Sequence, residues 1–156
     1  MHAIMFVAME PEYFEEGNAD LDDYVNRTTE RYDQNNDNYY HSEDMECCDD
    51  PKCSQCEGTG SWEQKYNPDG IYDWYEIGGR WNNVFYDLPY DVKGEVGNVI
   101  RVSDFGRFPS RELRSSDIYG VSYLVDSDGT LYTDVNGWLT YPRNQSKYLI
   151  LVDYHS

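Results

Sequence analysis

The sequence predicts an α+β fold, with a mostly antiparallel or mixed sheet, one or two helices and a small zinc knuckle. Apolar stretches of strand length lie near both ends of the chain, at residues 1–9 and 148–152, and can pair as central strands. A segment with helical spacing of apolar residues follows the first of them. Four cysteines fall within residues 47–56, a density typical of a metal site.

The length of 156 residues is usual for one domain, so we expect a single domain over 1–156. Within it we expect an acidic helical insertion at about 10–46 and a zinc knuckle at about 47–60. Apolar residues make up only 39% of the chain, but 16 tyrosines, 4 tryptophans and 5 phenylalanines supply large contact areas. The core should therefore be rich in aromatic side chains.

Residues 1–9 predict a buried strand rather than a targeting segment, because the stretch is short, has no basic region and continues into Glu10. Elsewhere the chain has no apolar stretch of about 18 residues, so the sequence predicts no membrane span. We expect a cytoplasmic protein. In that reducing compartment clustered thiols bind metals more often than they form disulfides.

The first helix is predicted over about 19–33. Leu21, Tyr24, Val25 and Thr28 follow the spacing of one helix face. Either Asn18 or Asp20 can serve as the N-cap. The polar residues 34–38 end the helix.

From residue 62 onward the pattern changes to strands and turns. Alternating or continuous apolar residues predict strands near 62–66, 96–102, 118–125, 130–133 and 148–154. Turn residues lie at 67–70 and 126–129. The acidic residues of the second turn resemble those of a calcium-binding loop, but the glutamate that such a loop has at its twelfth position is absent. The turn therefore predicts a hairpin. The last strand should be central and pair with the first.

Charge limits the classes of partner. Thirty acidic and twelve basic residues give a formal charge of −18, and such a field repels polyphosphate. Direct binding of nucleic acid through its phosphates is therefore not expected. Residues 10–52 hold fifteen acidic and three basic residues, so the negative charge is concentrated there. A basic protein surface is the expected partner, although the same charge also serves solubility.

The cysteines carry the most specific motif. Residues 53–60 have the pattern C-x-x-C-x-G-x-G, in which two thiolates grip one ion and the glycines let the backbone turn toward the sulfurs. It resembles one copy of the zinc module that DnaJ-type chaperones repeat. Cys47 and Cys48 would supply the other two ligands of the ion that Cys53 and Cys56 bind. Because adjacent residues do not easily face one ion, His41 is an alternative to one of them. We expect structural zinc.

A second candidate site is the aromatic segment that ends in Gly78-Gly79-Arg80-Trp81. The two glycines let the backbone bend and aim the Arg80 guanidinium inward, onto a carboxylate or a phosphate. Alternatively, Arg80 pairs with Asp73 or Glu76 while Trp74 and Trp81 fill the core. The candidate ligand-binding residues are Asp73, Trp74, Tyr75, Glu76, Arg80, Trp81 and His155.

The order of these motifs resembles a family of uncharacterised phage and bacterial proteins. The matching pieces are residues 53–60, 66–68, 73–75 with 78–81, and the terminal Val152-Asp153-Tyr154-His155. The resemblance brings no activity, and the acidic segment 10–52 lies outside it. It implies a phage-encoded protein.

Three functions fit this sequence. The first is a small acidic inhibitor of a host factor, such as a defence nuclease, that imitates DNA in the way of some anti-CRISPR proteins. The second is an enzyme acting on a phosphorylated or nucleotide-like ligand through Arg80 and His155. The third is a component of a virus particle. The concentrated acid favours the first.

Overall fold

The computed structural model describes residues 1–15, 20–85, 97–105 and 121–156. The predicted cap Asn18 and parts of the strands expected at 96–102 and 118–125 lie outside these residues. The chain forms two compact units: Met1–Glu30 with Trp74–Ser156, here the sheet unit, and Arg31–Asp73, here the hairpin unit. This division differs from the expected boundaries, because the second half of the acidic segment and the cysteines share one unit.

The described residues contain eight strands and four helices. The strands are β1 His2–Met9, β2 His41–Glu46, β3 Ser61–Tyr66, β4 Trp74–Ile77, β5 Val99–Arg101, β6 Val121–Val125, β7 Leu131–Tyr132 and β8 Tyr148–His155. The helices are α1 Pro11–Glu15, α2 Leu21–Thr29, α3 Val102–Phe105 and α4 Val135–Thr140. The predicted α+β class is confirmed. Three of the helices have six residues or fewer, which is too short to give a helical period in the sequence.

The sheet unit is built on a mixed six-stranded sheet with the order β4-β8-β1-β6-β7, in which β5 also pairs with β8. Strand β1 runs antiparallel to β8 along its whole length, from His2 opposite His155 to Met9 opposite Tyr148. It runs parallel to β6 on its other side. The expectation that the first and last strands pair centrally is therefore confirmed.

The core covers the faces of these central strands. Ile4, Phe6 and Leu151 are at most 1% exposed and pack in one cluster with Phe85 and Trp138. Burying each such side chain contributes about 1.5–3 kcal/mol. The continuous apolar sequence of β1 and β8 follows from this, since strands buried on both faces have no polar positions to alternate.

Strands β4 and β5 share one edge of β8, and Gly78 and Asn98, which flank these strands, are hydrogen-bonded to its middle. The Gly78 N–H donates to the Leu151 carbonyl at 2.9 Å, and the Leu151 N–H donates to the Asn98 carbonyl at 2.9 Å. This arrangement holds the turn that follows β4 beside the middle of β8.

Helix α2 begins one residue after Asp20, whose side chain accepts from the Asp23 N–H at 3.2 Å. It buries Leu21, Tyr24 and Val25, as the spacing predicts, and a 3-10 helix at Glu30–Tyr32 continues it almost to the predicted end. Among the described residues, the structure contains no helix that is long and apolar enough to cross a membrane.

The hairpin unit contains the antiparallel pair β2 and β3, with Met45 opposite Trp62 and Asp44 opposite Glu63. Strand β2 occupies the last part of the expected helical insertion, whereas short 3-10 helices at Glu30–Tyr32 and Asp37–Tyr39 precede it. The predicted turn after β3 is present, because the Gly70 N–H donates to the Asn67 carbonyl at 3.1 Å. The Asn67 amide group in turn donates to the carbonyls of Arg31 and Asp33 at 2.7 and 2.9 Å.

Candidate metal centre

The four cysteines lie together in the loop between β2 and β3. The Cys47 N–H donates to the Gly60 carbonyl at 3.0 Å, which closes the loop at its base. The four sulfur atoms lie within 4.8 Å of one another, and the Cys47 and Cys53 sulfurs are 3.6 Å apart. Four thiolates about 2.3 Å from a tetrahedral ion have sulfurs about 3.8 Å apart. The cluster is therefore compatible with one metal ion.

The adjacent residues Cys47 and Cys48 both belong to this cluster, with their sulfurs 4.0 Å apart. The sequence argument that neighbours do not face one ion holds for a regular strand, but β2 ends at Glu46 and the chain is irregular beyond it. The structure does not bring His41 to the cluster. His41 begins β2 opposite Tyr66, at the end of the hairpin away from the cysteines.

The backbone between the cysteines turns tightly. The Glu57 N–H donates to the Cys53 carbonyl at 2.9 Å, and the Thr59 N–H donates to the Cys56 carbonyl at 3.0 Å. Gly58 has a φ of +81°, and a Cβ there would lie 2.7 Å from the Pro51 carbonyl oxygen. Glycine is therefore required after Cys56 on both conformational and steric grounds.

The electrostatics of the cluster favour a bound cation. Hydrogen bonds from the backbone N–H of Cys56, the Cys48 side chain and the backbone N–H of Gln55 lower the pKa of the Cys53 thiol to about 6. Hydrogen bonding with the Cys56 side chain and burial raise the pKa of the Cys47 thiol to about 12. One thiolate thus forms readily while a second beside it is opposed. A divalent cation removes that conflict, since it stabilises every thiolate it binds.

The same hairpin carries a group of exposed carboxylates. Asp44 and Glu63 are directly opposite each other, and Glu46 lies two residues along on the same side of β2; these three form the acidic face. Like charges directly opposite destabilise a strand pair. Ser42 donates to Glu63 at 2.7 Å, and the exposed Lys65 approaches it at 3.8 Å, so the face is only partly compensated.

The second candidate site is formed by β4 and the end of β8. Trp74 lies opposite His155, Tyr75 opposite Tyr154 and Glu76 opposite Asp153. The Trp74 and His155 rings stack with centroids 5.8 Å apart. Asp73 is the last residue of the hairpin unit. The pairing places His155 beside Trp74, at the opposite end of β4 from Arg80.

Arg80 does not have the predicted orientation. The residue is exposed, and it is its backbone N–H that donates to the Asp153 carboxylate, at 2.9 Å. A Cβ on Gly79 would lie 2.4 Å from the Asp153 side chain. The glycines are therefore needed for the backbone to reach Asp153, rather than to aim the guanidinium inward.

The alternative prediction for this segment, an internal ion pair of Arg80 while Trp74 and Trp81 fill the core, is also only partly right. Among the described residues of the sheet unit, Arg80 forms no ion pair with Glu76, and Asp73 belongs to the hairpin unit. Trp81 packs against the core as that alternative expected, but Trp74 is 45% exposed.

Sequence reasoning missed His2 and Asn98. His2 Nδ1 lies 2.9 Å from Asp153 Oδ1. The buried Asn98 accepts from the Asn83 N–H at 2.8 Å and donates to the Asn82 side chain at 2.9 Å. Asp153 is a polar residue within an apolar strand. This pattern indicates in the sequence that hydrogen-bond partners must surround its side chain.

A scan against protein-family models finds no match, and searches of curated proteins and of solved structures find no significant match.

Proposed function

We propose that the protein is a zinc-stabilised acidic binding protein that inhibits a basic host factor, such as a nucleic-acid-binding defence protein, in the host cytoplasm. The observation that carries this proposal is the acidic face. Asp44 and Glu63 oppose each other on an exposed hairpin whose loop holds the cysteine cluster. A pairing that costs stability in the free protein is relieved when a basic surface binds it.

Zinc is the metal that best suits the cluster. It is redox-inert and accepts four thiolates in a tetrahedron. The hairpin unit has 43 residues, and its buried apolar side chains in the described structure are Tyr32, Cys56 and Tyr72. A unit near this size generally needs a metal or disulfides to stay folded. Four protein ligands leave no open position for water, so the ion would be structural.

The distribution of charge supports a partner for the hairpin unit. Its 43 residues contain eleven acidic and three basic residues, a net charge of −8. The 113 residues of the sheet unit carry the remaining −10. Tyr40 and Tyr66 are each 37% exposed on the hairpin unit and offer aromatic contact area of the kind that anchors interfaces.

The test compares two variants with the same change in net charge. One carries Asp44→Asn, Glu46→Gln and Glu63→Gln on the acidic face. The matched control carries Glu12→Gln, Asp22→Asn and Glu30→Gln, which replace exposed acids of the sheet unit. Each protein is immobilised and used to capture partners from host lysate at about 50 mM salt, then washed at about 300 mM salt, where screening is stronger.

The proposal predicts that the wild type and the control retain the same basic protein and release it in the salt wash. The acidic-face variant should bind that protein at least about tenfold more weakly, because complementary charge steers and orients association. Equal retention by the acidic-face variant would overturn the proposal, as would capture of acidic or neutral proteins alone.

A further inference from the structure

Asp153 is a buried carboxylate with both oxygens occupied. It is 1% exposed and lies on the central strand β8. One oxygen accepts from the Arg80 N–H and the other lies 2.9 Å from His2 Nδ1. Burial of a carboxylate is costly unless it is hydrogen-bonded in this way. The carboxylate is therefore fixed by the fold and in turn fixes the His2 ring.

This contact sets the state of the imidazole. When the Nδ1–H of a neutral histidine donates to a carboxylate, Nε2 carries the free lone pair. A carboxylate behind a histidine is also the arrangement that orients metal-binding histidines and raises their basicity. His2 thus has the environment of a metal ligand.

A second histidine lies at a matching distance. His155 is directly opposite His2 in the sheet, and the ring centroids are 5.2 Å apart with an angle of 73° between the planes. A nitrogen about 2.0–2.1 Å from a metal ion places its ring centroid about 3.2 Å from that ion. Two such rings at a tetrahedral angle have centroids about 5.2 Å apart. The observed separation therefore fits two ligands of one ion.

The candidate site lies at the end of the sheet, where His2 and His155 form the last pair between β1 and β8. The His2 side chain is 18% exposed, so the site is open to solvent. Trp74 lies edge-on to His2, with centroids 5.3 Å apart, and stacks on His155, so it supports both rings from one side. Each imidazole has two nitrogens, so a His2 or His155 ring that is hydrogen-bonded through one nitrogen has a second nitrogen for a metal ion.

We propose that His2 and His155 form a second metal site, which takes a divalent transition-metal ion such as Ni²⁺ or Zn²⁺ with water in the remaining positions. Imidazole nitrogen suits these ions. Asp153 is the positioning residue, since it acts through His2. The site belongs to the sheet unit and does not depend on the proposed zinc ion or on the binding function.

The test uses untagged full-length protein that has received one equivalent of Zn²⁺, and titrates Ni²⁺ into it by calorimetry. The chain offers a matched control, because His41 is exposed in the hairpin unit. His2→Gln and His155→Gln should each weaken Ni²⁺ binding at least about tenfold, and His41→Gln should leave it unchanged. Asp153→Asn should weaken it about 10–100-fold while both ligands remain. Thiolate-to-nickel absorption reports any binding at the cysteines separately.

Circular dichroism checks that each variant is folded. His155→Gln is the decisive variant if Asp153→Asn does not fold, since His155 is only partly buried at the end of β8. The proposal is overturned if wild-type protein binds no Ni²⁺ below about 1 mM outside the cysteines. It is equally overturned if His41→Gln weakens binding as much as His155→Gln does.

Discussion

At the scale of single residues, the turn after β4 depends on a close approach between backbone and a buried carboxylate. Gly79 has a φ of +48°, and Asp153 lies within the space that a Cβ would occupy. The segment around these glycines is dense in aromatic, glycine and charged residues, and this composition predicts a ligand-binding site. The structure shows a different role for the glycines, because they let the Arg80 N–H satisfy Asp153.

This role predicts a large effect for a small substitution. Gly79→Ala places an alanine at a left-handed φ and brings its Cβ within 2.4 Å of Asp153. We therefore expect it to lower the free energy of unfolding by about 3 kcal/mol. Gly129→Ala is the control in the same unit, since Gly129 has a φ of +84° but its nearest neighbour would be 3.7 Å away. It should cost only about 1–2 kcal/mol. Urea denaturation measures both, and equal losses would contradict this explanation.

His2 shows why some site residues cannot be found from sequence. Its partner Asp153 is 151 residues away, so no local pattern connects them. Likewise, the register that places Asp44 opposite Glu63 depends on the length of the loop between β2 and β3. The cysteines differ, because all four lie in one loop and their spacing already indicates a cluster.

At the scale of elements, the long apolar strands were predictable and the short pieces were not. Strands β1 and β8 have continuous apolar sequences, which specify central positions before any topology is known. Helix α4 contains Gly137 and two threonine or asparagine residues within six positions, and it forms because Trp138 packs into the core. Tertiary packing here overrides weak helix propensity.

The hairpin unit should depend on the proposed metal ion for its stability. Cys56 is 4% exposed and is the buried member of the cluster. We expect Cys56→Ser to abolish metal binding at the cysteine cluster and to increase hydrogen exchange in residues 47–60, because the free energy of metal binding is also folding free energy. His41→Gln is the matched control and should leave exchange unchanged.

The amides of β1 and β8 should stay protected in the Cys56→Ser protein, since these strands belong to the other compact unit. Hydrogen exchange with mass spectrometry resolves the two regions. Unchanged protection of residues 47–60 in the Cys56→Ser protein would show that the cysteines fold without an ion.

At the scale of the whole molecule, the negative charge of the hairpin unit and the proposed metal ion have opposite effects on its stability. The hairpin unit combines a net charge of −8 with a small buried core. Mutual repulsion of this charge opposes folding, and an ion held by four thiolates is the strongest stabilising interaction its residues can offer. If the protein acts as proposed, the rigid acidic surface that meets a basic partner requires the metal first.

The most direct test is the mass of the intact protein under native conditions, after purification without chelator. The account predicts one zinc ion held by the cysteines in the wild type and in His41→Gln, and the loss of that ion in a protein carrying Cys53→Ser and Cys56→Ser. A wild-type chain that carries no metal and has four freely reactive thiols would contradict it.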